Sequence, residues 1–332
     1  MVHMLDQPSI STVIRSPNLD NASVEVVVTV PTFRRPAQIL ETLASLQRQQ
    51  TTRRFAVVLV ENEAEKREGA IAATPLFESG AVQGMIIIAH NRGNCCAYNA
   101  GFETALANFP NFTRLAIIDD DELAEPQWLE QLCATAERFG ADLVGGPQLP
   151  IFPENSGRRF FGHPVFAPHY RESGPVPILY SSGNLLIGRH VLEAMGPPFL
   201  DLRFNFMGGG DADFLSRTAA KGFKLAWCAE AVIRETVPAR RLEPDWIRSR
   251  SLRNGVISTL VEKKKRAASP VGNLRVFAKS LALLAASPFR ALLKLARTGS
   301  LSTALYPVYI AIGRILAEFG YSNEQYRQPE KN

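Results

Sequence analysis

Three consecutive carboxylates, Asp119, Asp120 and Asp121, follow the apolar run Leu115-Ala116-Ile117-Ile118. Neighbouring carboxylates repel one another unless a cation or donor groups compensate, and no basic residue adjoins them in the sequence. Hard oxygen ligands of this kind suit Mg2+ or Mn2+, which commonly bridge to phosphates; the competing reading is an acidic turn that caps the next helix. A further carboxylate, Asp211, follows Gly208-Gly209-Gly210 and heads a helical stretch. There the helix dipole favours the ionised form and is expected to depress the pKa, leaving a group able to accept a proton; simple capping is the alternative. Asn91-Arg92-Gly93-Asn94 offers backbone donors and a guanidinium to a diphosphate, or merely a turn into a helix. Glu61 either accepts from a ribose or base, or is an ordinary exposed strand-end carboxylate.

These residues need elements that bring them together. Val24–Val30 and Phe55–Val60 are β-branched and apolar, as strands buried on both faces should be, and Ala37–Gln50 between them carries Ile39, Leu40, Leu43 and Leu46 at helical spacing. Alternation continues with strands at Gly84–Ala89, Leu115–Ile118 and Leu143–Gly145 and helices near Ala97–Asn108 and Pro126–Phe139. The pattern predicts an α/β fold with a doubly wound, mostly parallel sheet. Ligands of such sheets collect beyond the carboxyl ends of the strands, where Thr32, Glu61, Asn91 and Asp119 all fall. Residues 151–180 read as a long irregular loop. A strand near Asn184–Ile187, a helix at Arg189–Met195, a helix at Ala212–Lys221 and a strand at Lys224–Trp227 follow.

The chain of 332 residues is long enough for one large domain with an appendage. Its net charge of +5 is unevenly spread: residues 221–332 hold 20 Lys/Arg against 8 Asp/Glu, and residues 1–220 hold 17 against 24. An acidic front part suits a metal site and a basic end suits an anionic membrane surface or phosphates. Four cysteines without CxxC spacing indicate neither a zinc site nor a disulfide framework and fit a cytoplasmic setting. Residues 1–23 read as a loose N-terminal arm without a signal peptide. From Val271 the tail is helical, with Arg275, Lys279, Arg290, Lys294 and Arg297 among leucines, which favours interfacial attachment over simple packing. Leu301–Phe319 is too interrupted for a membrane span.

Taken together, Val-Pro-Thr-Phe-Arg-Arg at 30–35, the triplet Asp119–Asp121, Ser-Gly-Asn at 182–184, Gly-Gly-Gly-Asp-Ala-Asp-Phe at 208–214 and Glu-Thr-Val-Pro-Ala-Arg at 235–240 resemble the inverting family 2 glycosyltransferases of GT-A fold. Among these the sequence is most similar to bacterial enzymes that add single sugars in exopolysaccharide assembly, of the succinoglycan type. The resemblance implies a catalytic domain over residues 24–256 and a helical, basic extension over 257–332. It implies a donor nucleotide surrounded by Pro31, Thr32, Arg34 and Glu61, with Asp119 and Asp120 beside it and Arg92 and Asn94 on the diphosphate. Mn2+ or Mg2+ would sit on Asp121 with Asp119 and Glu235, Asp211 would be the base, and Arg240, Arg250 and Arg253 would lie beside donor or acceptor. Gly210 stands where the family usually has Glu, and Tyr98 where Arg often precedes Asn99. A UDP-linked donor, a glycan or lipid-linked acceptor and the inner face of the cytoplasmic membrane are the implied partners, with no nucleic acid expected. A sugar nucleotidyltransferase would need a Gly-rich phosphate loop after the first strand, which Pro31-Thr32-Phe33 is not. A non-catalytic protein on the same scaffold, binding membrane or nucleic acid through its tail, is the remaining alternative.

Overall fold

The computed structural model describes residues 9–154, 160–321 and 327. Strands form where β-branched residues run together: β2 (Val26–Thr32), β3 (Phe55–Glu61), β4 (Gly84–Ala89) and β5 (Arg114–Ile117) lie parallel in the order β4-β3-β2-β5. Successive residues feed opposite core layers. Val27, Val58 and Val60 meet Phe102 and Phe214 on one side, while Val28, Val57 and Leu59 meet Leu43 and Trp128 on the other. This two-sided burial is why the strands lack polar alternation. Helices α1 (Pro36–Gln47) and α4 (Trp128–Phe139) supply one layer and α3 (Asn94–Asn108) the other.

Beyond β5 the sheet continues through β10 (Leu185–Gly188), antiparallel to both β5 and β7 (Leu143–Gly145), then β11 (Leu225–Trp227) and β9 (Gly174–Pro175). Because β10 reverses twice, β4, β3, β2, β5, β7 and β11 all run one way, so the sheet is mostly parallel and doubly wound as expected. A small second sheet, β6 (Glu122–Ala124), β12 (Ile233–Thr236) and β8 (Gln148–Ile151), stands beyond the carboxyl end of β5.

Several elements differ from the sequence reading. Ile10–Arg15 is not a loose arm but strand β1, antiparallel on the outer edge of β4; its alternating polar residues are those of a half-exposed edge. Helix α2 (Glu68–Glu78) carries Pro75, which breaks the sequence pattern, yet it buries Ala70, Ala73 and Phe77. Leu40 of α1 is exposed. The segment 151–180 is mostly irregular, with Phe160 and Phe166 joining Val237, Leu242 and Ile247 in a separate apolar cluster; residues 155–159 within it lie outside the described residues.

After α5 (Arg189–Met195) and α6 (Gly210–Ala220), three long helices close the chain: α7 (Pro244–Lys265), α8 (Gly272–Thr298) and α9 (Leu301–Glu318). The boundary expected after residue 256 falls inside α7. Helix α9 packs against both others. Its axis comes so near α7 that a Cβ on Gly255 would lie 2.2 Å from the Ile310 carbonyl oxygen, and one on Gly313 would lie 2.0 Å from that of Leu252. Arg314 on α9, 2% exposed, donates to Ser280 of α8 (3.2 Å) and to Ser258 (2.9 Å) and Glu262 (3.0 Å) of α7. Helix α8, by contrast, turns most of its apolar residues outward: Phe289 and Leu292 are each 66% exposed. Among the described residues it is the one helix long and apolar enough to cross a membrane, whereas Leu301–Phe319 is largely the inner, packed helix.

Arg314 therefore holds three helices through one buried charge. Arg314→Met should lower stability by about 3 kcal/mol, because Glu262 and two hydroxyls lose their buried partner, as measured by urea denaturation.

Candidate active site

The carboxyl ends of β2 and β5 set the site. Thr32 ends β2 and donates to the Asp120 carboxylate at 2.8 Å, the Phe33 backbone N–H adds a bond at 3.3 Å, and the Arg35 guanidinium closes on it at 2.7 Å. Asp120 is 5% exposed and acts as a latch between the two strand ends, although it also borders the cleft. Arg35 reaches Asp121 too, at 2.8 Å, and Arg241 approaches Asp121 at 3.9 Å while pairing with Glu235. The triplet thus has basic neighbours, supplied by the fold from before α1 and from the turn before α7. Arg35 and Arg241 were not singled out from the sequence; the only trace was the Arg-Arg pairs at 34–35 and 240–241.

Glu235 arrives through the small sheet, where β12 pairs it with Glu122 of β6. Glu122, buried, accepts from the Asp119 backbone N–H at 2.8 Å and from Gln148 at 2.5 Å. The Tyr98 hydroxyl, on α3, donates to the Asp119 side chain. Burial and then the charge of Asp121 push the Asp119 carboxyl up to about 7. Burial raises Glu235 as well, despite Arg241, and lifts Glu122 well above the carboxylate range.

Asp211 lies on another wall of the same cleft, in the first turn of α6, delivered by Gly208 and Gly209 in left-handed backbone. A Cβ on Gly210 would sit 2.5 Å from the Cys95 sulfur, so the Glu common in the family has no room here. The expected depression of the Asp211 pKa is reversed. Burial raises it, outweighing the Ala212 N–H bond at 2.8 Å and the Arg250 charge, because loss of water costs the anion more than one helix end returns.

Pro31, Arg34, Arg92, Asn94, Arg240, Arg250 and Arg253 also line this cleft of about 1410 Å³. Arg34 pairs with Glu63, and Arg92 stacks over Phe33 at 5.1 Å and donates to the Arg327 carbonyl. Arg240 is pushed down by burial and by the charges of Arg241 and Arg35, so three guanidinium groups converge beside the carboxylates. Glu61, expected beside the nucleotide, does not line the cleft. It is fully buried, its carboxylate taken by the N–H groups of Glu63 (2.9 Å) and Ala70 (3.0 Å), so it anchors α2; Asn62 lines the cleft in its place.

The donor set fits a hard divalent cation in type and charge: Asp119, Asp120, Asp121, Glu122 and Glu235 face Arg35, Arg241 and Arg250, leaving negative charge uncompensated when all are ionised. Among the described residues, however, no three His, Cys, Asp or Glu side chains are already gathered around one point, since Arg35 and Arg241 occupy Asp121 and Glu235.

A mostly parallel sheet with a cleft beyond its carboxyl edge is the GT-A type of α/β fold, and comparison with known proteins agrees. Solved structures of S. aureus TarS share the fold: residues 1–349 in complex with UDP superpose with a TM-score of 0.51 at 12% identity, covering 91% of this chain and 97% of that one. The family model described as glycosyl transferase family 2 matches residues 27–193. Succinoglycan biosynthesis protein ExoM of Rhizobium meliloti (strain 1021) is 30% identical over 252 residues, 71% of this chain and 75% of its own length. Glycosyltransferase AglE of Haloferax volcanii is 25% identical over 210 residues, 62% of this chain and 65% of its own. The chain belongs to glycosyl transferase family 2 and is a glycosyltransferase, which sets aside the nucleotidyltransferase and non-catalytic alternatives.

The Arg35–Asp120 pair carries the local architecture. Arg35→Gln should cost about 2 kcal/mol or more in urea denaturation, and much less in an Asp120→Asn background, where no buried anion is stranded. Equal costs in both backgrounds would mean that Arg35 does not serve Asp120.

Proposed function

We propose that the protein transfers one sugar, with inversion, from a nucleotide-diphosphate sugar to a hydroxyl of a glycan or lipid-linked acceptor in cell-surface polysaccharide synthesis. The observation that carries this reading is the placement of Asp211 and the Asp119–Asp121/Glu235 group on separate elements of one cleft. The likeness to ExoM, named for succinoglycan biosynthesis, supports the polysaccharide setting, and the UDP complex of TarS supports UDP as the nucleotide. The catalytic unit is proposed to run from about residue 24 through the first half of α7, with the remaining helices as its extension.

Pro31, Thr32 and Asn62 border the space for the nucleoside, and Arg92, Asn94 and Arg240 supply positive charge and donors to the diphosphate. Mn2+ or Mg2+ would be held by Asp119, Asp121 and Glu235, and when bound it stabilises the charge of the departing diphosphate. Asp211 accepts the acceptor hydroxyl proton; burial raises its pKa and with it its basicity, and the Arg250 charge acts against that rise. Direct displacement by that hydroxyl inverts the anomeric centre.

Screening nucleotide sugars for metal-dependent release of nucleoside diphosphate tests the reading. Asp211→Asn should lose about 100-fold or more in turnover while UDP binding by calorimetry stays within about twofold. Asp121→Ala should lose both turnover and Mn2+ binding in the presence of UDP. An Asp121→Ala protein that binds Mn2+ like the parent would leave the triplet as only a turn.

The protein is also proposed to sit peripherally on the inner face of the cytoplasmic membrane through α8. Its outward Leu281, Phe289, Leu292 and Leu295, flanked by Arg275, Lys279 and Arg297, support this. Full-length protein should co-sediment with vesicles containing anionic lipid at low salt, and Phe289→Ser/Leu292→Ser should reduce that binding about tenfold. Undiminished binding by this variant would reject docking through α8.

A further inference from the structure

Arg35 and Arg241 both neutralise the carboxylate group, but they are anchored differently. Arg35 closes on the buried Asp120 at 2.7 Å and reaches Asp121 at 2.8 Å. Asp120 is the latch between the two strand ends and stands outside the set assigned to the divalent cation, so Arg35 keeps a partner whichever way Asp121 is used. Arg241 has no such anchor. Among the described residues its carboxylate partners are Glu235, with which it pairs closely, and Asp121, at 3.9 Å. Both belong to the set assigned to the cation. A guanidinium and a doubly charged ion on the same carboxylates repel strongly in a site shielded from water, so the two are alternatives there.

The surroundings of Arg241 show what else it can hold. Its guanidinium lies 5.8 Å from the centre of the Trp246 ring, an aromatic face over which a flat cation can turn without losing contact. The Arg241 Nε and the Trp246 Nε1 are both buried and have no hydrogen-bond partner among the described residues. Buried donors are seldom left in that condition, so two of them side by side point to oxygen acceptors that arrive with a ligand. Both side chains line the cleft together with Arg92, Asn94 and Arg240, the residues read above as facing the diphosphate. Arg241 sits in the short turn Ala239–Leu242, where its backbone N–H bonds the Pro238 carbonyl at 2.9 Å. Rotation of the side chain alone can therefore carry the guanidinium from Glu235 toward the open cleft.

We propose that Arg241 is a further donor-site residue, which pairs with Glu235 and Asp121 before the donor binds and passes to the donor diphosphate when the divalent cation takes those two carboxylates. Arg241 then opposes binding of a cation alone and favours a cation that comes with a nucleotide. The two ligands assist each other beyond their own mutual contact, and linkage makes that assistance reciprocal. The assignment rests on the glycosyltransferase reading of the cleft, with its divalent cation, and adds a residue to it.

Calorimetry on the full-length protein reads the two halves separately, with MnCl2 alone and with UDP in saturating Mn2+. Arg241→Gln should bind Mn2+ alone about tenfold more tightly than the parent, and UDP in saturating Mn2+ about tenfold more weakly. Arg241→Lys, which keeps the charge, should stay within about threefold of the parent in both titrations. If Arg241 served only to hold Glu235 in place, the first titration would have the opposite sign. Unchanged or weaker Mn2+ binding by Arg241→Gln thus overturns the exchange, and unchanged UDP binding overturns the passage to the diphosphate. A measurement on the parent does not depend on Arg241→Gln folding: the Arg241 side-chain Nε–H resonance, identified by its loss in Arg241→Lys, should shift when UDP and Mg2+ are added together. A resonance that stays in place with UDP bound overturns the proposal as well. Absence of Mn2+ binding from parent and variants, with and without UDP, would defeat the cation reading and the exchange with it, whereas Mn2+ binding that Arg241→Gln leaves unchanged defeats the exchange alone.

Discussion

Too much negative charge in too small a space is the constraint around which this molecule is arranged. Five carboxylates from the turn after β5, from β6 and from β12 gather where parallel strands end, and each would be costly there alone. The fold answers with Arg35, Arg241 and Arg250, brought from the start of α1, from the turn before α7 and from α7 itself. Backbone N–H groups and the Tyr98 and Thr32 hydroxyls supply further donors. The second sheet exists in register terms to hold Glu235 opposite Glu122, and the sheet order β4-β3-β2-β5 exists to bring Thr32 beside Asp120. Charge placement and topology are therefore one problem with one solution.

The parts of this arrangement that depend on local pattern were legible in the sequence. Runs such as Val26–Val30 and Phe55–Val60 form strands buried on both faces, as their composition predicts, and of the four residues expected beyond strand ends, Thr32 and Asp119 border the cleft while Glu61 and Asn91 do not. The triplet and Asp211 stood out because carboxylates of that density need an explanation. What was not legible depended on distance in the chain. Arg35 and Arg241 neutralise residues far along the sequence, and only the folded geometry selects Arg241 over Arg240 as the partner of Glu235. Glu61 reads from the sequence as either a nucleotide contact or an exposed strand end, and is neither, because α2, whose pattern Pro75 interrupts, covers it. The direction of the Asp211 shift failed for a related reason: a helix dipole is readable from a sequence, whereas the depth of water exclusion around a side chain is not.

Ion pairs also explain how the site and the tail tolerate one another. Asp213, buried behind Asp211, pairs with Arg217 and with Lys264 near the end of α7, and Glu262 collects Lys279 and Arg314. The basic bias of the last third is thus partly spent inside the protein.

Helix α7 belongs to two places at once. Its first half carries Arg250 and Arg253 into the cleft, and its second half is clamped to α9 by the Gly255 and Gly313 crossing and by Arg314. At about 1.5 Å per residue it is a stiff rod of roughly 33 Å with no proline in its interior to bend it. Any tilt of the outer helices is then delivered, lever-fashion, to the guanidinium beside Asp211.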